Sequence, residues 1–217
     1  AMALLLCVLT MTVQTARAQW SGSGTEADQY KITTTSDLNA LATKVNSGTT
    51  YENTYFRLEN NIEYGGGSTT STNFTPIGNN TYDHTFRGNF NGNHMTISGV
   101  RVYRNGGNDD YSYVGIFGAT YGKAEIYDLT VSDAVFTGYR YVGGIVGFQR
   151  GGTVTRCTVT SSVYIYAPDS DGAQWHGGIS GSNSDKVTNC VSSATLRMGN
   201  AYIARSEERF SRNAETD

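Results

Sequence analysis

The sequence is poor in leucine, alanine and proline, and its 26 glycines follow no three-residue period. Without that period, a collagen triple helix is excluded. The scarcity of leucine and alanine beside abundant threonine, valine and tyrosine disfavours a helical bundle and favours a β protein. Apolar residues make up 38% of the chain and aromatic residues 12%, which is too much for a disordered protein.

The chain also lacks a basic patch and a long apolar span. Its 16 basic and 19 acidic residues give a net charge of −3. These charges are spread evenly, so we expect no nucleic-acid partner. The longest apolar run, Ala3 to Val13, is shorter than the roughly 20 residues that a membrane-spanning helix needs. We therefore expect the mature chain to have no membrane span.

Residues 1–18 have the features of a signal peptide. The apolar run precedes Ala16-Arg17-Ala18, and a signal peptidase accepts small residues at the first and third of these positions. No basic segment precedes the run, so we expect the beginning of the leader to be missing. Cleavage before Gln19 predicts an exported protein, either secreted or exposed at the cell surface.

Residues 205–217 are unrelated to the rest of the chain. Their sequence, RSEERFSRNAETD, has no strand alternation and resembles the conceptual translation of a common short-read sequencing adapter. We therefore interpret them as a non-native tail on a fragment of metagenomic type. The remaining residues, 19–204, are enough for one domain with a sizeable core.

Internal repeats are the most informative feature of residues 19–204. The strings VGIFG, VGGIVG and HGGISG recur, and an alternating apolar segment follows each of them. Aligning these segments gives three columns with the same steps of 28 and then 33 residues. We therefore predict repeats at about 114–141, 142–175 and 176–200. The columns contain Ile126, Val154 and Val187; Leu129, Cys157 and Cys190; and Val131, Val159 and Ser192.

Each repeat has one apolar strand face, which it can bury only by stacking on its neighbours. The two-residue step from Cys157 to Val159 is that of a strand, whereas the three-residue step from Val154 to Cys157 predicts a corner. We assign the glycines of the repeated strings to tight corners as well. The predicted fold is all-β: a parallel β-solenoid, expected to be right-handed.

Cys157 and Cys190 are predicted to be free thiols, although two cysteines in an exported protein suggest a disulfide. Stacked strands lie about 4.8 Å apart, a separation that a disulfide permits. In one column, however, the two Cβ vectors are parallel, which makes the dihedral angle of a disulfide awkward. We therefore expect two buried thiols in an apolar ladder with Leu129.

The N-terminal half is predicted to begin the solenoid. Residues 30–34 are expected to form a strand, and Ser36 to cap a short amphipathic helix that ends at Gly48. Such a helix is typical of a cap over the open end of a first coil. Further strands, joined by glycine and asparagine turns, are expected at 55–58, 60–62, 74–78 and 86–102.

The strings GGIVG and GGISG resemble the GLUG motif of bacterial surface proteins. The segments FTPIG and FRGNFNGNHMTISGV are similar to those that usually precede GLUG repeats, and the resemblance extends over residues 30–199. It departs from the pattern at residues 90–94, which lack an acidic residue and a glycine, and at Ser180, where an apolar residue is usual. The resemblance implies a secreted or cell-surface β-helical region, as in adhesin-like proteins of gut bacteria and beside the peptidase of some immunoglobulin A proteases.

The sequence shows no coherent catalytic constellation. None of its histidines, His84, His94 and His176, lies in a His-Glu-x-x-His zinc site, and we expect all three at surface or turn positions. Asp109-Asp110 and Asp169-x-Asp171 are the candidates for the paired carboxylates of polysaccharide lyases and hydrolases. Both pairs lie in loops, where aspartate also initiates turns. We expect no catalytic residue, no cofactor and no metal.

Aromatic residues form the predicted binding surface. The chain has 15 tyrosines, and amphipathic rings on a solenoid face can stack on sugars or bind another protein. Strands also favour tyrosine for purely structural reasons. We predict a non-catalytic, adhesin-like module that binds a glycan or a surface protein. The alternatives are a fragment of a carbohydrate-active β-helix enzyme and the stalk of a larger surface peptidase. The candidates for ligand contact are Tyr139, Tyr141, Tyr164, Tyr166 and Trp175.

Overall fold

The computed structural model describes residues 19–167 and 175–198. The predicted signal peptide, the tail 205–217 and the candidates Asp169 and Asp171 lie outside these residues. One α-helix, α1 (Thr35–Asn46), follows the first strand. The strands are β1 (Tyr30–Ile32), β2 (Tyr55–Leu58), β3 (Ile62–Glu63), β4 (Asn89–Asn91), β5 (Thr96–Ser98), β6 (Arg101–Tyr103), β7 (Phe117–Thr120), β8 (Glu125–Tyr127), β9 (Thr130–Ser132), β10 (Ala134–Thr137), β11 (Val142–Gly143), β12 (Val146–Gln149), β13 (Thr153–Thr155), β14 (Thr158–Val159), β15 (Val163–Ala167), β16 (His176–Gly177), β17 (Ser180–Asn183), β18 (Lys186–Thr188), β19 (Val191–Ser192) and β20 (Thr195–Met198).

All strand pairs are parallel, and neighbours within a sheet come from successive coils. The chain thus winds through about four turns, and the prediction of an all-β parallel solenoid is confirmed. The sheets have the orders β1-β2-β4-β8-β13-β18, β3-β5-β9-β14-β19, β6-β10-β15-β20, β7-β12-β17 and β11-β16.

The register of the sheets reproduces the columns predicted from the repeats. Val154 pairs with Ile126 on one side and with Val187 on the other. Val159 likewise pairs with Val131 and Ser192. Both columns continue toward the N-terminus, where Phe90 precedes Ile126 and Ile97 precedes Val131. These inward positions form one core that extends along the solenoid.

The predicted corner between Val154 and Cys157 lies at Arg156. Its φ angle of +51° is in the left-handed region, as are those of Asp128 (+55°) and Asn189 (+54°) in the adjacent coils. Arg156 also binds Asp128 through two hydrogen bonds, from Nε at 2.7 Å and from Nη2 at 2.9 Å. Hydrogen bonds from Arg156 lower the pKa of the Asp128 carboxyl. A bidentate ion pair therefore links two stacked corners.

The prediction that the glycines of the repeated strings lie at corners is confirmed for Gly115, Gly144 and Gly178, which lie at bends between strands, and is wrong for the others, which lie within strands. At these strand positions, close packing is what requires glycine. The φ angles of Gly143 and Gly147 lie outside the left-handed region. A Cβ on Gly147 would instead lie 2.5 Å from the carbonyl oxygen of Tyr141 and 2.7 Å from the backbone nitrogen of Val114. Backbone segments of neighbouring coils approach too closely there for any side chain.

The segments before the first repeat differ in part from the predicted strands. β2 has the predicted bounds of 55–58. The segment 86–102 divides into β4, β5 and the start of β6, because Asn93 and His94 have positive φ angles and end the pairing. The strand expected at 74–78 is absent, and Ile77 makes a single parallel bridge to Phe117. Pro76 has no N–H to donate to a ladder at that point.

The helix α1 covers one end of the core. Its buried side chains, Leu38, Leu41, Ala42 and Val45, join the apolar core next to the edge strand β1. Thr34 is the N-cap, rather than the predicted Ser36, because it shares a capping box with Asp37. The Thr34 Oγ1 accepts a hydrogen bond from the Asp37 N–H at 3.2 Å, and the Asp37 carboxylate accepts one from the Thr34 N–H at 3.0 Å.

The two described cysteines are free, as predicted. Cys157 is 1% exposed, whereas Cys190 is only half-buried because it belongs to the last described coil. The Cys157 N–H donates to the Cys190 Sγ at 3.4 Å. Hydrogen bonding with Cys190 and burial both raise the pKa of the Cys157 thiol, which makes it a poor nucleophile in the folded state.

We expect thiol titration of the mature chain in denaturant, without reductant, to detect both Cys157 and Cys190. Replacing Cys157 by alanine should lower the free energy of unfolding by about 1 kcal/mol, because it leaves a small cavity in the core. Cys157→Val fills the same space and should cost less. A titration that finds neither thiol until reductant is added would show a disulfide and contradict the prediction.

Candidate functional site

The outer face of the sheet β6-β10-β15-β20 presents a row of polar and aromatic side chains. In register along this row lie Tyr103, Thr137, Tyr166 and Arg197, one from each strand. Side chains alternate across a strand, so the residue before each of them points inward. Val102, Phe136 and Ile165 are accordingly buried. Two tyrosines thus flank a small threonine on the outside of a rigid sheet.

A surface cleft of about 290 Å³ lies over this row. We name it the tyrosine cleft. The described residues of its lining offer rings, hydroxyls and an amide, and none of them carries a charge. Such a surface can stack on a sugar ring and form hydrogen bonds to its hydroxyls. The residues that line it are Thr69, Thr70, Tyr103, Asn105, Val135, Thr137 and Tyr166.

One wall of the cleft belongs to the loop between β3 and β4, and side-chain hydrogen bonds hold this loop on the sheet. The Asn73 Nδ2 donates to the carbonyl oxygens of Tyr64, Gly66 and Gly99 at 2.9 to 3.2 Å. Beneath the loop, the Arg101 side chain is 10% exposed and pairs with Asp133 at 2.8 Å. Because these partners are specific, the wall is fixed before any ligand binds.

The structure separates the predicted ligand-contact residues into two groups. Tyr164 and Tyr166 lie on the outer face of β15, with ring centroids 6.5 Å apart, and Tyr164 is 39% exposed. Tyr166 lines the tyrosine cleft. Tyr139 is only 6% exposed, and the Arg140 guanidinium lies 4.8 Å from the centre of its ring. Tyr139 therefore has little surface to offer a ligand.

Tyr141 and Trp175 belong to an aromatic stack on another side of the solenoid. Their rings are nearly parallel, 7° apart, with centroids 5.0 Å apart. The ring centroid of Tyr141 also lies 4.5 Å from that of Phe148 and 5.1 Å from that of Tyr113. Since the rings largely cover one another, the stack joins consecutive coils and leaves few free ring faces for a sugar.

The expected surface or turn positions hold for His84 and His94 but are wrong for His176. His84 ends a short 3-10 turn, and His94 is an exposed turn residue with positive φ. His176 is 0% exposed and pairs in register with Val142. Its Nε2 lies 3.4 Å from the carbonyl oxygen of Gly138, and its Nδ1 has no hydrogen-bond partner among the described residues. Burial lowers the pKa of His176 to about 4.

Asp109 and Asp110 form a 3-10 turn that Asn108 caps. Asp109 pairs with Arg140 at 3.1 Å. This is the turn role that the sequence suggested for aspartate in loops. Within the described residues, no group of histidine, cysteine and carboxylate side chains is arranged to hold a metal ion. Over the same residues, no helix is long and apolar enough to cross a membrane.

Comparison with known proteins agrees with the resemblance seen in the repeats. Residues 138–164 match the GLUG motif. Over 150 residues the chain is 32% identical to Halomucin of Haloquadratum walsbyi, a match that covers 67% of this chain and 2% of that protein. No solved structure matches the chain. The protein is therefore a parallel β-solenoid that contains a GLUG motif.

Proposed function

We propose that the chain is a non-catalytic binding module of a surface-associated protein and that its tyrosine cleft binds a glycan. The cleft carries this proposal, because its described lining has two tyrosines and three threonines and no charged side chain. The GLUG motif and the similarity to Halomucin support a surface-associated β-solenoid. Export through the leader, as a secreted or cell-surface protein, is part of the same proposal.

A glycan fits the cleft better than a protein partner does. A protein interface needs roughly 800 Å² on each partner and a buried apolar centre. The seven described residues that line the tyrosine cleft form a smaller surface than such an interface, and Val135 alone among them has an aliphatic side chain. Sugars instead need an aromatic face and nearby hydroxyl or amide groups, which Tyr103, Tyr166 and Asn105 supply.

The lining of the cleft can be compared directly with what the first alternative, a carbohydrate-active enzyme, would need. Glycoside hydrolysis uses two carboxyl groups that flank the scissile bond, and no described residue that lines the tyrosine cleft is acidic. A stalk of a larger surface peptidase would need no ligand at this cleft. The three functions therefore predict different results with the same polysaccharides.

Calorimetry of the mature chain with neutral and acidic polysaccharides, with and without calcium, tests the proposal. We expect binding without release of reducing ends or unsaturated sugars. Tyr103→Ala and Tyr166→Ala should each weaken binding about tenfold, because each removes one stacking ring. Tyr82→Ala is the matched control, since Tyr82 is 50% exposed and lies outside the cleft.

Two outcomes would overturn the proposal. Released sugars, lost when Asp109 and Asp110 are changed to asparagine, would establish the enzyme. If no polysaccharide binds, or if Tyr82→Ala weakens binding as much as the cleft variants do, the tyrosine cleft is not a glycan site. Folding of each variant is checked by its urea-unfolding midpoint.

A further inference from the structure

We infer that the glycan bound at the tyrosine cleft is acidic and that Arg197 binds its carboxylate or sulfate group. This inference rests on the proposed function. Arg197 continues the row of the cleft, because it pairs in register with Tyr166 on the neighbouring strand. Residues in register on parallel strands project from the same face of a sheet. Its guanidinium therefore extends the outer face that Tyr103, Thr137 and Tyr166 form.

The charge of Arg197 is not neutralised within the described residues. There, five arginines form ion pairs with carboxylates: Arg57, Arg87, Arg101, Arg140 and Arg156. Arg104 has a different partner, the carbonyl oxygen of Ser112 at 2.7 Å, and Arg150 lies over the rings of Phe148 and Tyr121. Arg197 is exposed and forms no ion pair in the described part of the chain.

The spacing along the row suits a polysaccharide that lies parallel to the solenoid axis. Adjacent strands are about 4.8 Å apart, so Tyr103 and Tyr166 stand roughly 10 Å apart on the two sides of Thr137. A pyranose over Thr137 lies between the two rings. Arg197 follows Tyr166 after one more strand, about 4.8 Å further, where the next sugar units of an extended chain would run.

An anionic group at that place gains a charge-assisted hydrogen bond and meets no repulsion from the cleft. Guanidinium groups bind carboxylates and sulfates through two parallel N–H groups. In the part of the chain that the structure describes, no aspartate or glutamate lines the cleft. A neutral chain would gain the contacts with the tyrosines but nothing from Arg197. The row thus selects acidic over neutral polysaccharides of the same backbone.

The test compares polymers that differ only in charge: polygalacturonate and unsulfated chondroitin, each beside its carboxyl-reduced form. The wild-type chain should bind the acidic forms roughly tenfold more tightly, and added salt should reduce this preference. Arg197→Gln should remove the preference and leave binding of the reduced polymers unchanged. The control is Arg150→Gln, at an exposed arginine directly after β12 that pairs with no carboxylate among the described residues; it should change neither.

The outcomes separate this inference from the proposed function. Equal affinity for acidic and reduced polymers, unchanged in Arg197→Gln, would overturn the role of Arg197 and leave the tyrosine cleft as a glycan site. A preference for the acidic forms that Arg150→Gln removes and Arg197→Gln keeps would also overturn it. Binding that survives Tyr103→Ala and Tyr166→Ala would reject the cleft itself.

Discussion

The free energy of unfolding is expected to fall by about 3 kcal/mol as the pH is lowered from neutrality to about 4, because of His176. Its ring is fully buried in a column otherwise occupied by Val114 and Val142. Charging the ring there removes a cation from water, and no acidic side chain among the described residues pairs with it, so the charged form is unfavourable. The folded state therefore binds this proton much less readily than the unfolded chain.

The direction of the effect follows from the two pKa values. In the unfolded chain the histidine takes up a proton near pH 6.5, whereas in the folded protein it does so only near pH 4. Between these values the unfolded state holds more protons, so stability rises with pH. Hydrogen bonds from Thr33 and Thr34 lower the pKa of the Asp37 carboxyl against the opposing effect of burial, and hydrogen bonds from Arg156 lower the pKa of the Asp128 carboxyl. The stability that these carboxylates contribute is therefore lost mainly at more acidic pH than the stability that depends on His176.

Urea unfolding at a series of pH values measures this effect, with His176→Val as the control. Valine is the residue that the two preceding coils carry in the same column. The variant should lose the slope between pH 6.5 and 4, and it should also remove the unpartnered Nδ1 from the core. An identical slope in wild type and variant would show that His176 is accessible to water in the folded protein.

The core columns and the coil order could be predicted from the sequence because the inward residues recur at matching steps. The same alignment also indicates a core position for His176, which we had expected at a surface or turn position. The strings VGIFG, VGGIVG and HGGISG place His176 in the column of Val114 and Val142. A residue that replaces two valines in a repeat is expected in the core, whatever its usual preference for the surface.

The site was predictable only in part. Tyr164 and Tyr166 stood out because they alternate in one strand, and alternation places both on one face. Tyr103 was missed since it precedes the first predicted repeat, although a buried aliphatic residue precedes it in β6 just as Ile165 precedes Tyr166 in β15. No sequence pattern of this kind indicates that Thr69 and Thr70 belong to the site. They reach the cleft because Asn73 holds their loop to carbonyl groups that are distant in sequence.

Gly147→Ala is expected to lower the free energy of unfolding by about 3 kcal/mol, more than the same substitution at Gly107 or Gly122. Around Gly147, the atoms that a methyl group would meet all belong to backbone: the Tyr141 oxygen at 2.5 Å, the Val114 nitrogen at 2.7 Å and the Gly118 oxygen at 2.8 Å. Backbone in two packed coils cannot move aside as a flexible side chain would. To admit the added methyl group, the strands of the two coils must move apart, which weakens the hydrogen bonds between them.

Two further alanine substitutions separate close packing from backbone conformation as the reason for glycine. Gly122 has a φ of +67° and no atom within 4 Å of an added Cβ, so Gly122→Ala should cost only about 1 kcal/mol for the left-handed conformation. Gly107 has neither constraint, and Gly107→Ala should be within about 0.5 kcal/mol of wild type. Urea unfolding, fitted with one common m-value, measures the free energy of unfolding of all three variants. If Gly147→Ala costs no more than Gly122→Ala, the coils have room to relax at the repeated glycines, and the GLUG strings do not set the distance between coils.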